Sequence, residues 1–383
     1  MRILMLDNEF PPLGGGTGVV NLRLLQELAK REEIEVDLVT SSCTKDTYEQ
    51  EQFSAGIRIF KVPVNNRCIH HSSNRELLTY AVRGYRMCRR LAREKKYDIA
   101  FAFAGVPAGG IAYFFSLTHH VPYVVSLQGP DVPGFEQRYS LVYFFLKPVI
   151  RRIWRRASGL MAQSEKHRQM ALETDPGADI VVIGNGVDGS LFRPRSAQPR
   201  EAARPVDILT VGRLIERKGH RYLLEAGAEL RRRGYDAFRL TFTGTGDSED
   251  ELKALSRGLG LEKHVRFAGY LAREEVIACY EGADLFALPS FNEGMSIALL
   301  EAIAAGLPVV VTDTGGTAEV VRGNGLVVPW ADAVALADAL ARLIDSPRLR
   351  EEMGSRSEEI AKEFSWEEVS RQYLAVCRHA LAG

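Results

Sequence analysis

GSLFRPRSAQPREAARPVDILTVGRLIERKG, Gly189 to Gly219, changes character in its middle. Through Pro205 it is proline, arginine and small polar residues without apolar period, the composition of a linker. Then DILTV, Asp207 to Val211, is a short β-branched run closed by a glycine, which predicts a strand. The same kind of run recurs on both sides. Upstream stand RILMLD, VDLVTSS, IRIFKVPV, IAFAFA, YVVSLQG, GLMAQS and IVVIGNG; downstream stand RLTFTGTG, VRFAGYL, LFALPS, PVVVTD and GLVVP. Each alternates with helical periodicity, the pattern of parallel α/β layers covered on both faces. The expected fold is α/β: two doubly wound, Rossmann-like domains, residues 1–188 and 206–365, joined by the linker 189–205 and facing each other across a cleft.

Composition narrows the functions. With 383 residues and 46% hydrophobic composition the chain can bury two cores. Lys plus Arg equals Asp plus Glu at 49 each, so no global field favours nucleic acid. Cys43, Cys68, Cys88, Cys279 and Cys377 are scattered, with no spacing for zinc or a redox pair. The chain opens directly on a strand-like run and has no apolar run of transmembrane length. The expected location is the cytoplasm.

In doubly wound sheets ligands gather beyond the carboxyl ends of the strands, so the loops after strands carry the candidates. After RILMLD, the glycines Gly14 to Gly16 precede a helix predicted over Val19 to Lys30. They allow close approach to a phosphate or sugar, or serve only as a flexible turn. After DILTV, Arg213 and Lys218 can grip phosphate oxygens, while Arg217 is expected to face solvent. After LFALPS comes FNEGMSIALLEAIAAG, Phe291 to Gly306, in which Ser296 can cap a helix ended by Gly306 and Pro308. Glu293 then lies in the loop. Glu301 lies about 7 Å further along the axis at ~1.5 Å per residue, so the two acids can address different hydroxyl pairs of one elongated ligand. A salt bridge to a neighbouring helix is the alternative for Glu301. After PVVVT, Gly315 and Gly316 open another helix, giving a second N-terminus for a diphosphate. Gly244 in GTGDSED is a weaker signal of the same type. No Asp-x-Asp occurs, so a metal-chelating diphosphate site of that pattern is excluded and cationic side chains must neutralise the phosphates.

GRLIERKG, VRFAGYL, NEGMSIALLEAIAAGLPVV and TGGTAEVV, in that order, closely resemble the retaining glycosyltransferases of family 4, which have the GT-B fold. GGGTG, IGNGVDGSLFRP and FSWEEVSRQYL extend the resemblance over most of the chain. It implies a nucleotide-diphosphate sugar as donor, UDP- or GDP-linked, no cofactor and no metal, and a glycan, lipid-linked or small-molecule acceptor. Arg213 and Lys218 would bind the diphosphate, Glu293 the donor sugar hydroxyls and Glu301 the ribose. The backbone of Gly294, Met295, Ser296 and Ile297 would approach sugar and phosphate, Tyr270 and Leu271 would receive the base, and Gly15 and Gly16 would close over the diphosphate. The final helix, about Trp366 to Leu381, would cross back onto the first domain. Transfer would proceed on the front face with retention, the departing phosphate oxygen helping to take the acceptor proton. In YVVSLQGPDVPG many relatives carry histidine where this chain has Gln128, which cannot be protonated but can hydrogen-bond sugar or acceptor. Asp131 would orient an acceptor hydroxyl, or is a turn residue. A GT-B epimerase or phosphorylase, and a non-catalytic sugar-nucleotide-binding module, are the alternatives. The joint presence of Arg213, Lys218, Glu293 and Glu301 argues against the module.

KPVIRRIWRRA, Lys147 to Ala157, places Val149, Ile150, Ile153, Trp154 and Ala157 on one helical face and Lys147, Arg151, Arg152, Arg155 and Arg156 on the other. That face suits peripheral contact with an anionic membrane on its inner side, or is an ordinary helix packed on the first domain. Residues 1–190 carry 24 basic and 20 acidic side chains, so the bias is local. The pairs His70 and His71, and His119 and His120, are expected at the surface.

Overall fold

The computed structural model describes residues 1–65, 72–135, 140–192 and 204–382; His70, His71 and Cys68 lie outside them. The chain forms two compact units, Met1–Asn185 with Trp366–Gly383, and Gly186–Ser365.

The first unit runs β1 Arg2–Leu6, α1 Gly16–Leu28, β2 Glu35–Ser42, β3 Glu49–Ser54, β4 Ile57–Pro63, α2 Asn74–Glu94, β5 Ile99–Phe103, α3 Ala108–His119, β6 Tyr123–Ser126, α4 Ser140–Arg156, β7 Gly159–Ala162, α5 Glu165–Thr174 and β8 Ile180–Val182. Among the described residues its sheet has the order β3-β4-β2-β1-β5-β6-β7-β8. Every pairing is parallel except β3 with β4. The inner strands are nearly continuous apolar runs because helices cover both faces. EQEQFS of β3 is polar and exposed, as an edge strand with one partner permits. The strand order reverses between β1 and β5, so the loops after these strands and after β6 frame the place where such sheets bind ligands. Helix α1 begins at Gly16, not Val19, so the last of the three glycines is already helical.

The second unit runs β9 Val206–Val211, α6 His220–Arg232, β10 Phe238–Thr243, α7 Glu249–Gly258, β11 Val265–Gly269, α8 Arg273–Gly282, β12 Leu285–Leu288, α9 Ile297–Ala304, β13 Val309–Thr312, α10 Thr317–Val320, β14 Gly325–Val328, α11 Ala333–Asp345 and α12 Pro347–Ala361. Its all-parallel sheet has the order β11-β10-β9-β12-β13-β14, reversing between β9 and β12. The final helix, α13 Trp366–Ala382, belongs to the first unit. Its Tyr373 ring lies 5.4 Å from Phe101 and 6.0 Å from Phe103 of β5, and its hydroxyl 3.2 Å from Ser126 Oγ.

The expected linker starts too late and absorbs structured residues. Val187 and Phe192 are buried in the second unit's core, where Phe192 meets Tyr280 edge-on at 5.4 Å and the Val187 N–H donates to Phe364 O. Arg204 donates to both carboxylate oxygens of Asp284 at 2.8 and 2.7 Å. Residues 193–203 lie outside the described residues.

Candidate functional site

In the second unit the loops after β9 and β12 meet at the strand reversal. Lys218 and Glu293, 75 positions apart in the chain, place Nζ and Oε1 2.5 Å from each other, and Ser290 Oγ donates to the same oxygen at 2.7 Å. Both side chains are nearly buried. Burial would raise the Glu293 carboxyl, but the charges of Lys218 and Arg217 outweigh it and hold it below the usual carboxylate range. Burial pushes the Lys218 ammonium down, against the pull of Glu293. Arg217 does not face solvent: its Nη1 donates to Asn292 O at 2.8 Å and stands 3.7 Å from Glu293 Oε2. Arg213 is half-buried in the same loop, and its carbonyl accepts from His220 Nε2 at 3.2 Å. A carbonyl only accepts, so His220 carries its proton on Nε2; burial lowers its pKa to about 4 and keeps it neutral.

Two glycines fix this geometry. At Gly315, φ +54°, a Cβ would fall 1.3 Å from Glu293 O, so the loop after β13 can lie on the Glu293 backbone only without a side chain. At Gly244, φ +125°, a Cβ would fall 2.1 Å from Gly212 O. Gly316 opens only a single turn, α10, and its N–H donates to Gly294 O at 2.6 Å. Ser296 does cap α9, its side chain accepting from the Leu299 N–H. Gly294 is buried; Met295 and Ile297 are half-buried.

Glu301, on α9, is buried and engaged with α8. Arg273 Nη1 donates to Oε1 at 2.6 Å and Tyr280 Oη to Oε2 at 3.0 Å, while the Arg273 guanidinium sits 5.1 Å from the Phe192 ring centre. The salt bridge to a neighbouring helix is thus present, and each carboxylate oxygen keeps a lone pair for another donor. Tyr270, just past β11, is 78% exposed, beside half-buried Leu271.

In the first unit the glycine loop already holds an anion. Glu9 Oε2 accepts from the Gly15 N–H at 3.2 Å, just before α1 begins at Gly16, and a Cβ on Gly14 would meet Glu9 at 2.6 Å. Asp7, buried, bonds Asn21 Nδ2; burial and then the Glu9 charge push its carboxyl well above the usual range. Gln128 is held at both ends of its amide: Nε2 donates to Ser126 Oγ and Oε1 accepts from Gln163 Nε2, both at 2.8 Å. Asp131 ties two loops, its oxygens accepting from the Gln128 N–H at 2.8 Å and the Gly105 N–H at 2.6 Å. Burial raises its pKa against those bonds. Sequence reasoning missed Asp7, Gln163, His167 and His220. His167 is buried, with its pKa lowered to about 4. His119 and His120 end α3 with partial or full exposure.

The apolar face of the basic helix packs within its own unit, the second of the two expectations, except at one position. Ile150, Ile153 and Trp154 are buried, but Val149 is exposed. Arg155 pairs with both Asp175 oxygens, Arg151 bonds Thr174 O, Arg152 bonds Tyr113 Oη and Arg156 bonds Ser116 Oγ. These arginines hold α4 to its own unit. No helix among the described residues is long and apolar enough to cross a membrane.

Two doubly wound units, each with charged loops gathered at its strand reversal, have the fold of the GT-B glycosyltransferases. The chain belongs to that family: residues 192–360 match the glycosyl transferases group 1 and residues 15–186 the glycosyl transferase 4-like domain. It is 34% identical over 219 residues to the D-inositol 3-phosphate glycosyltransferase of Corynebacterium aurimucosum, a match spanning 53% of this chain and 52% of the relative. The chain thus spans about half the length of the first curated relatives it matches. Over 96% of this chain and 95% of the relative it is 28% identical to the GDP-mannose-dependent alpha-(1-6)-phosphatidylinositol monomannoside mannosyltransferase of Mycobacterium tuberculosis. Sucrose-phosphate synthase from Thermosynechococcus elongatus superposes with a TM-score of 0.86 at 20% identity, covering 100% of this chain and 99% of that one. Anabaena HepE in complex with UDP-glucose does so at 0.74 and 21%, covering 99% of each.

Proposed function

We propose that this glycosyltransferase moves a hexose from a UDP- or GDP-sugar to a lipid-linked or glycan acceptor with retention at the anomeric carbon. The Lys218–Glu293 pair carries the reading. A diphosphate that engages Lys218, with Arg213, draws the ammonium from Glu293 and frees the carboxylate to accept from donor sugar hydroxyls. Donor binding and exposure of the sugar-holding acid become one event. The same cations stabilise the leaving diphosphate as charge develops, which is the main protein contribution to such a transfer. Tyr270 and Leu271 receive the base and Glu301 the ribose. Asp131 orients the acceptor hydroxyl, and Gln128, fixed at both ends of its amide, acts by position rather than by proton transfer.

The likeness to a mannosyltransferase acting on phosphatidylinositol monomannoside supports a lipid-linked acceptor. Peripheral membrane contact is assigned to exposed Phe144 and Phe145 of α4, because the arginines of that helix are engaged within the unit. Slow hydrolysis of a panel of UDP- and GDP-hexoses, followed by proton NMR, tests the reading. The first anomer released should be α from an α-linked donor. Initial release of the β anomer refutes retention, and no binding of any donor refutes the site. Donor affinity should not change with chelator, since cationic side chains serve the diphosphate; a strict requirement for a divalent ion refutes that part.

A further inference from the structure

Helices α2, α3 and α4 enclose a groove of about 1450 Å³, above the ~300 to 1,000 Å³ of ordinary small-molecule pockets. Leu78, Val82, Phe114, Leu117 and Val149 on its walls are 40–67% exposed. A continuous apolar surface of this kind is costly in water and marks a place that something covers. Among the described residues, the charged side chains lining it are Arg86, Arg89 and Arg152, and no carboxylate lines it. Arg152 bonds Tyr113 Oη, whereas Arg86 and Arg89 are exposed, with no ion pair among the described residues. The groove therefore offers hydrocarbon contact along its length and phosphate-binding guanidinium groups beside it.

Val106 and Pro107 of the lining follow Gly105, whose N–H holds Asp131. A Cβ on Gly105 would lie 3.0 Å from Trp154 Nε1 and 3.5 Å from Asp131 Oδ2, and the buried indole N–H has no hydrogen-bond partner. Gly105, which holds the acceptor-side carboxylate, is thus one residue from the groove lining.

We propose that the groove binds the hydrocarbon chain of a phosphate-headed lipid, its phosphate on Arg86 and Arg89, and that this lipid is the acceptor. Its role as acceptor rests on the transferase reading; its binding does not. The chain-plus-anion chemistry decides against a glycan occupant, which has no hydrocarbon chain to cover the apolar walls.

Calorimetry on the full chain with monomeric dodecyl phosphate tests this, with dodecyl maltoside and inorganic phosphate as controls. Dodecyl phosphate should bind one to one, about tenfold or more tighter than either control, and lose roughly tenfold for each two carbons removed. Ala81→Trp, which fills the groove from an accessible position, should weaken it at least about tenfold. Arg86→Glu with Arg89→Glu should reduce it to the level of dodecyl maltoside. Nucleoside diphosphate affinity, measured on the same samples, should be unchanged in both variants, and circular dichroism with an unchanged melting profile shows the first unit folded. Equal binding by wild type and Ala81→Trp overturns the proposal, as does dodecyl phosphate binding no tighter than inorganic phosphate. Binding to anionic vesicles without uptake of the monomer overturns it in favour of surface docking. Absence of nucleoside diphosphate binding in the wild type sinks the transferase reading and leaves the groove intact.

Discussion

Lys218 Nζ lies 2.5 Å from Glu293 Oε1, and the two nearly buried charges come from the loops after the two strands that flank the reversal in the second unit. Breaking a buried pair leaves an uncompensated charge, typically costing ~3–5 kcal/mol, whereas replacing both partners costs much less. Lys218→Met should therefore destabilise the second unit by about 3 kcal/mol, and Lys218→Met with Glu293→Gln should recover most of it. Trp330 is the tryptophan of the second unit, 5.8 Å from Phe291 in the β12 loop, so with Trp154 and Trp366 replaced by Phe its fluorescence during urea unfolding reports this unit. Additive losses in the double variant would show that the pair is not coupled.

Among the described residues, each unit carries one buried histidine whose pKa falls from 6.5 to about 4, His167 in the first and His220 in the second. Between these values the unfolded chain binds a proton that the native chain refuses, so stability rises with pH across the window and is lost as pH falls from about 6.5 to about 4. The full effect is on the order of 3 kcal/mol per histidine. His220→Gln keeps a donor for Arg213 O and cannot titrate. It should flatten the Trp330-detected pH dependence in that window, and an unchanged slope would contradict the assignment.

Gly315→Ala tests whether loop contact holds the acid in place. The added Cβ meets a backbone carbonyl that no rotamer change can move, and φ +54° itself disfavours a side chain. The β13 loop must shift away from Glu293. Nucleotide-sugar affinity should fall about tenfold or more with a smaller loss of overall stability. Wild-type affinity in a folded variant would mean that the loop contact is dispensable.

The fold was legible because parallel strands covered on both faces are written as short apolar runs, and DILTV after the proline-rich stretch marked the second series. EQEQFS escaped because an antiparallel edge strand needs one partner and no buried face. The candidate acids were legible one by one through the loop and helix that flank Glu293 and Glu301. Their partners were not: Lys218 is 75 positions from Glu293 and Arg273 is 28 from Glu301, distances closed by sheet topology alone. Arg217 looked like a solvated loop charge for the same reason, since the Asn292 carbonyl that binds it lies in another loop. The late linker boundary came from reading composition, which cannot tell that Phe192 finds Tyr280.

Glu293 and Glu301 should fail in different ways. Losing a hydrogen bond to a charged group costs ~1.5 to 3 kcal/mol, roughly ten- to a hundredfold in affinity. Glu293→Gln should weaken nucleotide-sugar by that factor and leave free nucleoside diphosphate bound at least as tightly as by wild type, because the diphosphate has no sugar hydroxyls to lose and Lys218 is released from its carboxylate. Glu301→Gln should weaken both ligands equally, since both contain the ribose. That variant also breaks the ion pair with Arg273, so Arg273→Met is the necessary control: it removes the pair and keeps the acid. Arg273→Met should bind free diphosphate within about threefold of wild type, because Tyr280 still holds Oε2 of the acid and the ribose hydroxyls can take the place of the guanidinium on Oε1. Calorimetric titration of the three variants with both ligands, with circular dichroism as a check on folding, separates the cases. If Glu301→Gln binds free diphosphate like wild type, Glu301 only joins α9 to α8, and the ribose must be held elsewhere.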